Sequence, residues 1–210
     1  MVGIELPDAG LTGELPEALG ALSSLAVLSL ALNSLRGPLP AALLTGIGSL
    51  RRLVLSRNAL SGVLPAAALA ALPAIEEVYV DGNDFEGELG GASGADWSRP
   101  TTLQVLVASR NRLSGRLPEA LGSLPALQTL ELDQNELGGP VPQAWSGLVD
   151  SIVVSGSSEG IDLRFNADIC GDVPAALAGV IEASVGTRVG SPCPTPVCIT
   201  TQSPCWPLPT

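Results

Sequence analysis

Residues 56–65 read SRNALSGVLP and residues 109–118 read SRNRLSGRLP. Only Ala59 against Arg112 and Val63 against Arg116 separate the two phrases. A chain that writes one phrase twice is built from repeated units, and degraded copies extend the series. Asn33, Asn58, Asn83, Asn111, Asn135 and Asn166 follow one another at intervals of 25, 25, 28, 24 and 31 residues. A period near 24 residues signals a solenoid, each unit forming one turn of a coil.

Each Asn closes a short apolar run: LAVLSLALN (25–33), LRRLVLSRN (50–58), IEEVYVDGN (75–83), LQVLVASRN (103–111) and LQTLELDQN (127–135). The last two apolar positions of each run alternate with exposed ones, as a one-faced strand requires. Beyond the Asn comes x-Leu-x-Gly and then Leu-Pro or Val-Pro, as in NSLRGPLP and NELGGPVP. After the Pro, spaced residues such as Leu43, Leu69 with Leu72, and Leu121 with Leu124 predict a helical or 3₁₀ return. One such coil cannot bury its Leu face alone, so neighbouring coils supply the other wall of the core. Where strands end and turn, backbone N–H and C=O groups are left inside and need partners. Stacked Asn side chains carry both donors and an acceptor and suit that task. The Gly four residues on is expected to permit a conformation or close approach that a Cβ blocks.

Composition narrows the function. The 210 residues carry a formal charge of −11, no Lys and ten scattered Arg. Phosphate recognition needs clustered basic side chains, so nucleic acid is not an expected partner. There is no His, which removes the usual general base and nitrogen metal ligand. No Ser-His-Asp set and no phosphate-cradling Gly loop is present, so an enzyme is not expected, and neither is a cofactor or metal. Hydrophobic residues make up 46% but aromatics only 3%, so the core is expected to be Leu, Val, Ile and Ala. No apolar run approaches the roughly 18 to 20 residues of a membrane span, and MVGIELPDAG lacks the basic start and apolar stretch of a signal peptide.

The motif N-x-L-x-G-x-[IL]-P, in phase through roughly residues 2–179, resembles the plant-type leucine-rich repeat. The resemblance implies an α/β solenoid of about seven repeats: a right-handed superhelix with a parallel concave β-sheet and short convex helical or 3₁₀ segments. It also implies a short second strand around G-x-[IL]-P. Two regions follow: a solenoid at 1–179 whose N-terminal cap is missing, and a Cys/Pro-rich cap and tail at 180–210. Ala9 stands where the first coil would carry Asn, and truncation is favoured over a raw solenoid end formed by Val2, Ile4 and Leu6. GGASGADWSRPTT (90–102) reads as a convex insertion, with Trp97 and Arg99 as an alternative partner contact. SIVVSGSSEG (151–160) reads as a looped-out hairpin or the start of capping.

All four cysteines, Cys170, Cys193, Cys198 and Cys205, lie in the last 41 residues. Their spacing lacks a C-x2-C pair, which disfavours zinc. FNADICGDVP resembles the terminal repeat of the family, where two Cys staple the cap. Carried over, Cys170 is the first of that pair and the second is Cys193 or Cys198. An even count at a solenoid end favours an oxidising compartment, hence an extracellular or cell-surface location. Free thiols would instead place the chain in the cytoplasm or a cilium. The Pro-rich end reads as a tail or as a stalk toward a wall or membrane anchor outside this sequence.

The resemblance implies receptor ectodomains, receptor-like proteins and inhibitors of cell-wall-degrading enzymes. The expected function is a non-catalytic scaffold that binds a protein or peptide, or a glycan, on the concave face. The alternative is a spacer in a cell wall or a larger ciliary or cytoskeletal assembly. Counting back from the ladder Asn, the outward columns place Arg57 and Arg110 on either side of Gly82, with Tyr79 and Asp81 between them and Asp133 beyond. Arg and Tyr are enriched at dominant contacts, so this patch is the candidate ligand site. The competing reading pairs Arg57 and Arg110 with Asp81 and Asp133 as solvated ions of little consequence.

Overall fold

A computed structural model describes residues 2–90, 95–152, 160–183 and 185–194. Eight strands lie parallel in chain order: Val2–Glu5, Leu25–Ser29, Arg52–Val54, Glu77–Tyr79, Val105–Val107, Thr129–Glu131, Ile161–Asp162 and Ile181–Glu182. They form the concave sheet of a right-handed α/β solenoid. A second parallel sheet takes one short strand from each of the same eight coils. The convex side returns through α-helices at Ala41–Gly46 and Ala66–Ala70, and through 3₁₀ turns at Glu17–Ala21, Glu119–Ser123, Gln143–Asp150 and Ala175–Leu177.

Register sets like positions of successive coils in columns. Leu53 pairs with Leu28 on one side and Val78 on the other, and Val54 with Ser29 and Tyr79. Ile4 and Ile181 in the end strands are partly buried, whereas the inward member of each of the six inner strands, Leu28, Leu53, Val78, Leu106, Leu130 and Ile161, is fully buried. Its neighbours on either side face the concave surface, because strand side chains alternate.

Each ladder Asn reaches back to the preceding coil. Asn111 Oδ1 accepts from the Phe85 N–H at 3.0 Å, while its Nδ2 donates to Val80 O at 3.0 Å and to Ala108 O in its own coil at 3.1 Å. The pattern holds from Asn33, which serves Leu11 N–H and Leu6 O, to Asn166, which serves Leu137 N–H and Leu132 O. Every carbonyl between two ladder positions receives two donors; Val80 O, for example, takes both Asn83 and Asn111. Ala9 occupies the ladder place of the first coil, and its N–H donates to Asn33 Oδ1 at 3.0 Å.

The residue before each ladder position is left-handed: Asp8, Leu32, Arg57, Gly82, Arg110, Gln134 and Phe165 have φ between 51° and 63°. This single αL residue ends the strand and turns the following Asn inward. The second strand begins at the next residue, as in Ala59–Val63 and Arg112–Arg116, and so precedes the Leu-Pro pair that was expected to lie within it. Inside that strand Gly115 has φ +80°, and a Cβ there would stand 2.7 Å from Glu88 Cγ. Position and crowding both require glycine.

Three of the six aromatics go to the core. Trp97, Trp145 and Phe85 are the largest fully buried side chains. The insertion in the fourth coil therefore does not present Trp97 to a partner: its indole N–H donates to Leu89 O and its rings fill the core, leaving only Arg99 of that pair exposed. Both sheets continue past residue 179, and the expected cap takes the form of an eighth coil, with Gly186 left-handed and Thr187 in the ladder place. Cys170 joins Cys193 with Cα atoms 5.0 Å apart, which resolves the pairing the sequence left open. Most of the hairpin expected at 151–160, and Cys198, Cys205 and the Pro-rich end, lie outside the described residues. Among the described residues no helix is long and apolar enough to cross a membrane.

Candidate functional site

The concave strands of the third to sixth coils, 52–54, 77–79, 105–107 and 129–131, carry the densest set of chemically distinctive side chains. Tyr79 and Asp81 are half-buried in the fourth coil, and Asp133 is half-buried in the sixth. Arg57 and Arg110 are exposed, but they sit on the left-handed turns at the strand ends rather than on the flat of the sheet. Arg57 and Gly82 belong to adjacent coils, and the Arg57 Cγ lies 3.4 Å from where a Gly82 Cβ would be. The bare Gly82 thus forms a seat for the aliphatic stem of Arg57, with the guanidinium beyond it.

The ion pairs do not follow the competing sequence reading. Salt bridges join Arg51 to Glu76, Arg52 to Glu77, Arg112 to Asp84 and Arg164 to Asp162. Among the described residues Arg57 and Arg110 form none. Asp81 instead accepts the Ser56 hydroxyl at 2.6 Å, and Asp133 accepts the Gln134 side-chain amide at 3.0 Å.

Tyr79 meets Arg52 of the preceding coil, whose guanidinium carbon stands 5.8 Å from the ring centroid. Burial, and then the Glu77 carboxylate beside it, push the Tyr79 phenol above its ordinary value, while Arg52 opposes them. Arg52 and Glu77 form a third outward column that the sequence grid missed by starting two residues too late. The signal was available, since strand alternation continues to the residue before the inner Leu53 and Val78.

One polar atom of this face lacks a match. Ser109 is 5% exposed and its hydroxyl meets no hydrogen-bond partner among the described residues. It stands in the column of Asp81 and Asp133, one coil from each. Beside it Val107 is nearly as buried, so the fifth coil forms the floor of a shallow trough. Concavities also occur elsewhere: one of about 400 Å³ on the second sheet is bounded by Val63, Glu86, Arg112 and Glu136, and one of about 320 Å³ by Gln134 and Phe165.

Hydrogen-bond donors, carboxylates and one ring stand together on an open sheet face. Among the described residues no group of three His, Cys, Asp or Glu is placed to hold a metal ion.

Residues 102–124 match the family model described as Leucine Rich Repeat. No curated protein matches the chain. Among solved structures, the PEPR1–AtPEP1 structure is similar over 90% of this chain and 25% of its own, at 27% identity and a TM-score of 0.75. The LRR ectodomain of the Arabidopsis receptor kinase HAESA, solved with an N-terminally extended IDA peptide hormone ligand, is similar over 89% of this chain and 32% of its own, at 25% identity and a TM-score of 0.69. The LRR ectodomain of the receptor kinase SOBIR1 from Arabidopsis thaliana is similar over 66% of this chain and 72% of its own, at 27% identity and a TM-score of 0.59. The chain spans about a quarter to a third of the length of the PEPR1 and HAESA chains it resembles.

Proposed function

We propose that this chain, which resembles plant-type leucine-rich repeat ectodomains, is a non-catalytic, receptor-like scaffold that binds a peptide or an extended protein segment on its concave face. The contact surface is the patch of Arg57, Tyr79, Asp81, Arg110 and Asp133, extended by Arg52. The observation that carries this reading is the unpaired state of Arg57 and Arg110, beside two carboxylates that bond elsewhere. Four other arginines of the chain form surface ion pairs with the adjacent coil or strand residue. Arg57 and Arg110, held on left-handed turns that other coils fill with Asp, Leu, Gly, Gln or Phe, form no ion pair among the described residues and are available to a partner.

The HAESA ectodomain, with its peptide hormone ligand, supports a peptide as the partner class. The Cys170–Cys193 disulfide supports an oxidising compartment, extracellular or at the cell surface. Attachment to a membrane or wall would come from segments outside these residues. The experiment is a double substitution, Arg57→Ala with Arg110→Ala. The circular dichroism spectrum is expected to stay unchanged while partner binding weakens; unchanged affinity contradicts the proposal.

A further inference from the structure

We propose that the trough over the fourth to sixth coils takes a peptide in the polyproline II conformation, with basic side chains at positions i and i+3. The inference rests on the concave-face reading above and adds to it the ligand's conformation and charge spacing.

Three rows on the concave face carry it. The outward column of Asp81, Ser109 and Asp133 sets two carboxylates two coils apart. At about 4.8 Å per parallel strand, that is about 9.6 Å. A polyproline II helix rises about 3.1 Å per residue with three residues per turn, so side chains i and i+3 stand on one face about 9.3 Å apart. An extended β-strand offers same-face spacings near 6.8 Å and 13.6 Å and fits neither. The neighbouring column over the same coils runs Tyr79, Val107 and Glu131, apolar over the fourth and fifth coils and ending in a carboxylate, and it holds the only tyrosine of the chain. It offers proline rings the aromatic and aliphatic surface on which such helices dock. Arg57 and Arg110, on the row of turns beyond the carboxylates, present donors without an ion-pair partner. The carbonyls of a polyproline II backbone are all without internal hydrogen bonds and accept from them.

Ser109 distinguishes this trough from a mere acidic cluster. In the third and fourth coils the same column closes on itself, because Ser56 donates to Asp81. In the fifth and sixth coils it does not: Asp133 turns to Gln134, and the buried Ser109 hydroxyl is left without a partner among the described residues. With the two cations seated on Asp81 and Asp133, the peptide backbone between them passes over Ser109, whose hydroxyl donates to one of its carbonyls. Buried polar groups are rarely left unmatched, so the omission marks where a ligand group enters.

The test is fluorescence anisotropy with labelled synthetic peptides of one composition and different order. Pro-Pro-Arg-Pro-Pro-Arg-Pro-Pro places the cations at i and i+3; two isomers place them at i+2 and i+4, and a fourth peptide replaces both Arg by Glu. The i+3 peptide is expected to bind about threefold to fivefold more tightly than its isomers, which each lose one charge contact, and about tenfold or more above the acidic peptide, which loses both. Asp81→Asn with Asp133→Asn removes that preference. Ser109→Ala, which removes a buried hydroxyl without a partner among the described residues, raises the unfolding midpoint or leaves it no lower, and weakens the i+3 peptide by about threefold to tenfold. Equal affinity at all spacings, or no binding of any peptide, overturns the proposal. Binding that ignores spacing but disappears in Tyr79→Ala overturns the spacing rule and leaves the concave-face reading standing. Binding that neither Tyr79→Ala nor the Asp variants alter removes both.

Discussion

Replacing Asn111 by Ala probes the ladder at a position where the consequences can be worked bond by bond. Its side chain makes one accepted bond, from Phe85 N–H, and donates to Val80 O, Ala108 O and Ser109 O. All three carbonyls keep a partner after the substitution, since Asn83 also serves Val80 O, Asn135 also serves Ala108 O and the Gly82 N–H also serves Ser109 O. Only the Phe85 N–H is orphaned inside the molecule. The expected loss is therefore the desolvation penalty of one group, about 1–3 kcal/mol, rather than the sum of several bonds. Asn83→Ala orphans Leu60 N–H in the same way. Removing both also strips Val80 O of its two donors, so the adjacent double variant loses about 1–3 kcal/mol beyond the sum of the singles. Asn58 and Asn111 share no carbonyl, and their double variant is expected to be additive. Denaturant unfolding followed by circular dichroism gives the free energies, and amide exchange of Phe85 locates the loss. An adjacent pair that adds without excess, or a single variant costing far more than one orphaned group, refutes the shared-carbonyl ladder.

Other consequences follow from particular residues. Arg57→Gly relieves a left-handed side-chain-bearing residue at φ 55° and is expected to raise stability by about 1 kcal/mol, measured by denaturant midpoint, while weakening partner binding. Gly115→Ala runs the other way: φ +80° and a Cβ 2.7 Å from Glu88 Cγ lower stability by about 1–3 kcal/mol. Reducing Cys170–Cys193, which closes a loop of separation 23, is expected to destabilise the terminal coils by about 3 kcal/mol, seen as lost amide protection confined to the seventh and eighth coils. Tyr79 is the single tyrosine, so phenolate absorbance titrates it alone. Its midpoint is expected above 10.0 and to fall in Glu77→Gln, which removes a charge that raises it. Because the native state holds this proton more tightly than the unfolded chain, the associated stability is intact below pH 10.0 and is lost as pH rises through the folded value.

The scaffold was legible because its demands recur in every coil. Asn58 and Asn111, Leu60 and Leu113, and Gly62 and Gly115 serve the same bonds, core and turn, and repetition makes such positions visible. The left-handed turn was not visible, because Asp, Leu, Arg, Gly, Gln and Phe all occupy it and leave no residue signature. The alternative reading of Trp97 as a surface contact rested on its Gly, Ser and Asp neighbours. The leucine spacing it replaces is absent there, so nothing local announced that the ring fills the core. At the site, residue identity in columns followed from register alone, whereas partnership did not. Whether Arg57 meets Asp81 or stands apart depends on side-chain rotamers, and Asp81 is already taken by Ser56. The even spacing of Asp81 and Asp133 acquires meaning only beside the unmatched Ser109 hydroxyl, which burial reveals and sequence does not.

The most direct test of concave-face recognition is position-dependent photo-crosslinking. A benzophenone side chain is introduced singly at Val54 or Thr129, half-exposed on the concave sheet, and at Val63 or Ser114, on the second sheet. The four proteins are irradiated with extracellular peptides and proteins of the source organism and the adducts identified by mass spectrometry. A common adduct from positions 54 and 129, absent from 63 and 114, is the expected result. The same adduct from 63 or 114, with none from the concave positions, contradicts it.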